Sequence, residues 1–124
     1  MCFMPKKLWL IFSFAWALLI WRLTTTPQVI VTQDTLFQAI LMSFAHFFFF
    51  GVQAIFLSRS HFASLLAITL TSFYGLFIEI YQRTVPGRSA DPLDWFLDTL
   101  GAIVFLVILN KYSYLTTKIR NRPK

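Results

Sequence analysis

The stretch FIEIYQRTVPGRSADPLDWFLDTLG, residues 77–101, gathers charge inside an otherwise apolar chain. It contains four of the five acidic residues of the protein and two of its eleven lysines and arginines. These residues are Glu79, Asp91, Asp94, Asp98, Arg83 and Arg88. The segments around this window consist mainly of Leu, Ile, Phe, Val and Ala, so the charged side chains need a polar site of their own.

The composition indicates a membrane protein. The chain has 124 residues, of which 57% are hydrophobic and 13% are charged. Soluble domains contain about 45–50% apolar and about 25% charged residues, so a soluble fold could not cover its surface with this sequence. The length fits a single domain over residues 1–124. The net charge of +6 is spread over segment ends and forms no basic stripe, which argues against nucleic acid as a partner.

Four apolar segments predict four transmembrane helices. A helix needs about 20 apolar residues, with a range of about 17–25, to span a bilayer. The predicted spans cover residues 7–23, 36–57, 62–81 and 92–109, and a basic tail follows at residues 110–124. The predicted fold is therefore an all-α membrane protein, a bundle of four transmembrane helices.

The distribution of lysine and arginine predicts the orientation of this bundle. Cytoplasmic loops of membrane proteins carry an excess of these residues. The two termini and the turn between the second and third spans share one side of the membrane and hold Lys6, Lys7, Arg59, Lys111, Lys118, Arg120, Arg122 and Lys124. The opposite side holds Arg22, Arg83 and Arg88. We therefore expect both termini in the cytoplasm and residues 82–91 outside.

The loop within the charged window predicts a tight turn followed by a capped helix. In the sequence VPGR at residues 85–88, Pro86 suits the second position of a type II turn and Gly87 the third, which requires a positive φ. This turn is expected to return Arg88 toward Glu79. Asp91 is then expected to cap the fourth helix, because proline follows it at the first helical position.

Polar and small residues form one stripe on each of three predicted helices. A spacing of three, four and three residues places them on one helical face. The stripes contain Ser43, His46, Phe50 and Gln53; Ser72, Gly75, Glu79 and Gln82; and Asp91, Asp94, Asp98 and Gly101. Small residues allow close helix approach, so Gly75 and Gly101 are expected at tight contacts between helices. The three stripes should converge on one polar centre.

Asp98 gives the sharpest expectation within that centre. It lies about 9 Å beyond the start of the fourth span, at 1.5 Å per residue. A carboxylate at the bilayer centre costs about 2.5–3.5 kcal/mol on insertion scales, so it should face the bundle interior and a partner. Such a carboxylate can either be protonated or meet a cation, and the candidate cations are His46 and Arg88. We expect His46, because it lies within the membrane on a facing stripe. No HExxH motif or paired-histidine spacing is present, so the sequence predicts neither a metal nor a cofactor.

The motifs HFFFFG and YGLFIEIYQRTVPGRSADPLDWFLDTLG resemble the VanZ-like family of small bacterial membrane proteins. The family pattern is matched over about residues 36–108 by His46, Phe47, Glu79, Gln82, Pro86, Gly87, Arg88, Asp94 and Gly101. This chain departs from the family pattern at Ser43, where lysine is common, and at Asp98, where asparagine is usual. The resemblance implies a multi-pass protein of the bacterial inner membrane, in the cell envelope.

Three classes of function remain open at this point. The preferred one is binding or handling of a lipid or cell-envelope precursor headgroup in an outward-facing polar pocket, which would contain His46, Glu79, Gln82, Arg88, Asp94 and Asp98. The second is an intramembrane hydrolase or transferase with His46 or Glu79 as acid or base. The third is a structural or assembly partner, whose polar cluster only specifies packing. Membrane lipids are expected partners, and homo-oligomerisation remains open.

Overall fold

The computed structural model describes residues 4–27, 34–88 and 90–120. Within these ranges the chain forms four α-helices: α1 (Lys6–Thr25), α2 (Thr35–Ser60), α3 (Ser64–Gln82) and α4 (Pro92–Arg120). All four are long and apolar enough to cross a membrane. The predicted all-α class and the four spans are confirmed. The last two basic residues of the predicted tail, Arg122 and Lys124, lie outside the described residues.

Helix α2 is the centre of the bundle. It packs against α1, α3 and α4, whereas no contact joins the described parts of α1 and α4. Its largest interface is with α4, where Ala54, Ala102 and Leu106 form a buried cluster together with Ala67 of α3. Side chains such as Phe14, Leu65 and Phe73 point away from the bundle and are 67%, 77% and 65% exposed. In a bilayer these apolar side chains face lipid, so the chain can be rich in apolar residues without burying them in a large core.

Helix α2 begins at an aspartate cap, and a turn that contains glycine precedes α4. Asp34 caps α2, because its Oδ1 accepts the backbone N–H groups of Leu36 and Phe37 at 3.0 and 3.1 Å. In the turn before α4, the N–H of Arg88 donates to the carbonyl of Val85 at 3.1 Å. Gly87 has a φ of 79°, as a type II turn requires at its third position. The predicted turn at residues 85–88 is thus present.

The fourth helix is longer than the sequence predicts. The apolar span ends near residue 109, but α4 continues as a regular helix to Arg120. No glycine or proline interrupts residues 110–120, so nothing in the backbone ends the helix where the hydropathy falls. Residues 111–120 are all exposed and project beyond the bundle. Hydropathy predicts where a span leaves the hydrocarbon, which is not where the helix ends.

Three glycines permit the closest contacts between helices. A Cβ atom at Gly101 of α4 would overlap the carbonyl oxygen of Phe47 on α2. A Cβ at Gly75 of α3 would lie 2.6 Å from Oδ2 of Asp98. A Cβ at Gly51 would lie 2.6 Å from the ring of Phe105. The close contacts expected at Gly75 and Gly101 are therefore present, and Gly51 adds a third that the stripes did not include.

Helix α1 joins the bundle through side-chain hydrogen bonds and aromatic packing. The indole N–H of Trp16 donates to the carbonyl of Phe49 at 2.9 Å, and their rings stack with centroids 5.1 Å apart. The hydroxyl of Tyr74 donates to the carbonyl of Ala17 at 2.6 Å. The amide Nε2 of Gln53 donates to the hydroxyl of Ser13 at 2.9 Å. Both α2 and α3 therefore hold α1 by polar contacts within an apolar surface.

The orientation can be tested with single cysteines at the two ends of α3. In a Cys2→Ser background, Thr84→Cys should react with an impermeant thiol reagent in intact cells, because positive charge predicts that residues 82–91 lie outside. His61→Cys should react only after the membrane is permeabilised. His61 is a better reporter than Ser60, whose side chain is buried against the carbonyl of Leu57. Labelling of His61→Cys but not Thr84→Cys in intact cells would reverse the orientation.

The contact at Gly101 should determine stability more strongly than the contact at Gly51. Gly101→Ala drives a methyl group into a backbone carbonyl, which cannot move without shifting α2. We expect a loss of about 1–3 kcal/mol in unfolding free energy, the usual cost of overpacking. Gly51→Ala meets the Phe105 side chain, which can shift more easily than a backbone carbonyl, so its loss should be smaller. Denaturation in detergent micelles measures both, and equal losses would contradict this explanation.

Candidate functional site

The buried pair formed by His46 and Asp98 lies at the centre of the polar cluster. Nδ1 of His46, on α2, lies 2.9 Å from Oδ1 of Asp98, on α4. Asp98 is 0% exposed, and the ring of His46 stacks parallel to that of Phe50, one helical turn along α2. The two predicted stripes therefore face each other, and the expected meeting of His46 with Asp98 is observed.

A second carboxylate approaches the same imidazole from the cavity side. Oδ2 of Asp94 lies 3.7 Å from Nε2 of His46, and the Asp94 side chain is 24% exposed. Asp94 precedes Asp98 by four residues, so both carboxylates lie on one face of α4. His46 thus has one carboxylate near each ring nitrogen, one fully buried and one accessible.

Glu79 connects α3 to the start of α4. Its Oε2 accepts the backbone N–H of Asp91 at 2.9 Å, and the residue is 5% exposed. Asp91 in turn accepts the N–H of Leu93 at its Oδ1, at 2.9 Å, which is the contact expected of a helix cap. Oε1 of Glu79 and Oδ2 of Asp98 have no hydrogen-bond partner among the described residues. Two buried carboxylates therefore each keep one unpartnered oxygen.

These acids and the histidine also have the composition of a cation site. One ligand atom from each of His46, Glu79 and Asp98 lies within 4.8 Å of the other two. The three residues come from α2, α3 and α4, so no local sequence spacing could reveal the group. The sequence predicted no metal site, because it contains no HExxH motif and no paired-histidine spacing.

Arg88 contacts the end of α1 and not Glu79, which is the partner that the sequence predicted. Its Nε donates to the carbonyl of Thr26 at 2.9 Å and its Nη2 to the carbonyl of Leu23 at 3.0 Å. In the part of the chain that the structure describes, no salt bridge joins Arg88 to Glu79. The expected pairing is wrong because the last carbonyls of α1 lack intrahelical partners and carry the negative end of the helix dipole. The turn at residues 85–88 presents the guanidinium to them.

Burial affects Arg88 without removing its charge. Desolvation lowers the pKa of the Arg88 guanidinium, and the nearby charges of Asp94 and Glu79 oppose that change. A guanidinium is not deprotonated in proteins, so Arg88 remains a cation. It lies close enough to the carboxylates to feel their charge, but it makes its hydrogen bonds to α1.

Gln82 also contacts α1 and not the acids. Its Nε2 donates to the carbonyl of Thr24 at 3.2 Å, and its side chain is buried. The predicted cluster therefore divides into two parts. His46, Glu79, Asp94 and Asp98 come together between α2, α3 and α4, whereas Gln82 and Arg88 bind the end of α1. The run of threonines at residues 24–26 was the sequence signal for that helix end.

Two cavities meet at this site. A polar cavity of about 410 Å³ is lined by residues that include Gln38, Ser43, His46, Gln82, Arg88, Asp91 and Asp94. An apolar cavity of about 180 Å³ lies between α1 and α2 and is lined by residues that include Ile20, Leu23, Ala45, Phe49 and Phe50. Both cavities are lined by Met42, His46 and Arg88. The site therefore has adjoining polar and apolar parts.

Comparison with known proteins gives one match. The family model described as VanZ/LLP1 matches residues 5–113, which include α1, α2, α3, most of α4 and the whole candidate site. No curated protein matches this chain significantly. No solved structure matches it significantly either.

The His46–Asp98 contact should appear as an energetic coupling. In a double-mutant cycle, His46→Gln and Asp98→Asn should show an interaction of about 0.5–3 kcal/mol in unfolding free energy, as residues in direct contact do. The matched cycle of Glu79→Gln with Arg88→Gln should show a smaller interaction, because these side chains make their hydrogen bonds to different partners. Strong coupling in the second cycle and none in the first would invert the described arrangement.

Proposed function

Because the chain belongs to the VanZ/LLP1 family of membrane proteins, we propose that it binds the headgroup of a lipid or lipid-linked cell-envelope precursor in the polar cavity. The junction of the two cavities at Met42, His46 and Arg88 carries this proposal. An amphiphile has a polar part joined to an apolar part, and it can place one in each cavity. A wholly polar solute would have no use for the apolar cavity.

Arg88 is the residue we assign to a phosphate group of the headgroup. Guanidinium groups bind phosphate through parallel N–H donors, and they are frequent wherever phosphate is recognised. The carbonyls of Leu23 and Thr26 fix the orientation of this guanidinium from one side, while it lines both cavities on the other. A fixed cation loses little conformational freedom when a ligand arrives.

The acidic wall of the polar cavity suits hydroxyl or amine groups of the same headgroup. Asp91 and Asp94 line the cavity and accept hydrogen bonds only, so they favour donors such as sugar hydroxyls or an ammonium group. His46 and Gln82 add groups that can donate. A headgroup carrying both phosphate and donor groups would match the charges of Arg88 and the aspartates at once.

The apolar cavity supports the proposal from the side of the lipid chain. It opens between α1 and α2, beside the accessible apolar faces of the bundle. An acyl or prenyl chain entering there would extend from the surrounding bilayer without crossing a polar surface. We place this binding in the bacterial inner membrane, with the polar cavity at the outer end of α3, as the charge asymmetry of the chain predicts.

Catalysis is the second candidate, favoured by the His46–Asp98 pair. A buried carboxylate that binds one ring nitrogen can orient an imidazole so that its other nitrogen acts as a general base or acid. Here Nε2 lies on the side of Asp94, which lines the polar cavity. In this alternative the bound lipid would be hydrolysed or transferred, and His46→Gln would abolish turnover while binding persisted.

Two arginines of the same loop provide a matched test of binding. Arg88→Gln should weaken binding of anionic phospholipids at least tenfold in native mass spectrometry or in vesicle titrations, because it removes the cavity cation. Arg83→Gln should leave binding within twofold, since Arg83 is exposed at the end of α3 and does not line the cavities. Both variants lose one positive charge, so a general electrostatic effect would weaken them equally.

The same assay separates the remaining alternatives. Equal binding by wild type and Arg88→Gln would contradict the assignment of phosphate to Arg88. Retention of a lipid without chemical change over long incubation would support binding over catalysis. Absence of any retained lipid in wild-type protein would favour the structural role.

A further inference from the structure

We propose that His46, Glu79 and Asp98 bind one divalent transition-metal cation, of the Mn²⁺ or Zn²⁺ class, beside the polar cavity. The proposal concerns a different ligand from the lipid headgroup and does not depend on it. It rests on three features of the described residues: the convergence of the ligand atoms, the two unpartnered carboxylate oxygens, and the local balance of charge.

The first feature is the convergence of three metal-binding side chains. Their ligand atoms lie within 4.8 Å of one another, although the residues belong to three different helices. Ligands about 2.0–2.2 Å from one ion lie roughly 3–4 Å apart, so a small side-chain rotation completes the site. Because the backbone of each ligand is part of a long packed helix, the site is largely formed before a cation arrives.

The second feature is the state of the carboxylate oxygens. Glu79 and Asp98 are 5% and 0% exposed, and Oε1 of Glu79 and Oδ2 of Asp98 have no partner among the described residues. Buried polar atoms are nearly always hydrogen-bonded, and a buried carboxylate without compensation is costly. Oδ2 of Asp98 lies against Gly75, one helical turn before Glu79 on α3. The free oxygen therefore faces the helix that carries the second carboxylate.

The third feature is the balance of charge in this part of the bundle. Glu79, Asp94 and Asp98 surround a single imidazole. Arg88, a cation that lines the adjoining cavity, makes its hydrogen bonds to the carbonyls of α1. A divalent cation would satisfy both unpartnered oxygens and neutralise the two buried carboxylates.

The donor set selects the class of cation. One imidazole with two carboxylates suits Mn²⁺ or Zn²⁺, since imidazole is a frequent ligand of transition metals and carboxylates also suit Mn²⁺. Ca²⁺ takes six to eight oxygen ligands, which this group does not supply. Binding requires a neutral imidazole and ionised carboxylates, so it should release protons and weaken at low pH.

The test uses the full-length protein in detergent micelles, stripped of metal with a chelator and free of added lipid. MnCl₂ or ZnCl₂ is then titrated, with Mn²⁺ binding followed by electron paramagnetic resonance and metal content by mass spectrometry after desalting. We expect one Mn²⁺ or Zn²⁺ per chain. Glu79→Gln and Asp98→Asn, which keep side-chain shape, should each weaken binding at least tenfold, and CaCl₂ should compete poorly.

Matched controls lie elsewhere on the chain. His61→Gln removes the other of the two histidines, which is exposed in the α2–α3 connection, and should bind metal as wild type does. Asp34→Asn removes an exposed carboxylate at the start of α2 and should also have no effect. If these controls weaken binding as much as the ligand variants do, the metal is held adventitiously and the proposal fails.

The outcome is decisive in either direction. Less than one-fifth of an ion per chain in wild type, or wild-type affinity in both folded ligand variants, would overturn the site. Helical content measured by circular dichroism identifies a variant that fails to fold, and His46→Gln then replaces it in the comparison. Arg88→Gln should retain metal while losing lipid, so failure of the metal proposal and failure of headgroup binding are distinguishable.

Discussion

The close approach of α4 to α2 at Gly101 is the contact on which the polar site depends. The absence of a side chain at this position lets the helix backbone rest against the carbonyl of Phe47. His46 precedes Phe47 on α2, and Asp98 lies one turn before Gly101 on α4, so the same approach brings an imidazole and a carboxylate within hydrogen-bond distance. A wider spacing of the two helices would leave Asp98 buried without its partner, which the low dielectric of the bundle makes costly.

The carboxylates and the guanidinium of Arg88 lie at two neighbouring but separate sites in the bundle. The carboxylates gather around His46 between α2, α3 and α4, while Arg88 is held at the carboxyl end of α1. A direct ion pair would have neutralised both charges and removed them from use. Arg88, Asp91 and Asp94 line the same cavity of about 410 Å³. The arrangement costs stability that the surrounding hydrogen bonds to backbone groups partly restore.

The features that the sequence predicted are those that depend on one helix at a time. The lengths of the apolar segments identified the four spans. The stripe through His46 faces the stripe through Asp98, because polar side chains avoid lipid. Two other features, which depend on the exact register and ends of neighbouring helices, were missed. The hydrogen-bond partners of Arg88 cannot be predicted without knowing where α1 ends. The contact of Gly51 with Phe105 cannot be predicted without knowing the register of α2 against α4. The length of α4 was missed because helix formation continues in water after the apolar residues end.

The unequal lengths of the helices connect the site to the thickness of the bilayer. Helix α3 has 19 residues, and α4 has 29. At 1.5 Å per residue, α3 is about 28 Å long, close to the roughly 30 Å of a hydrocarbon core, and α4 is about 44 Å. The shorter helix cannot gain length by tilting, so hydrophobic mismatch in a thick bilayer would have to be met by local thinning around α3. Glu79 lies in the last turn of that helix. Membrane thickness therefore sets how far its carboxylate lies below the lipid headgroups.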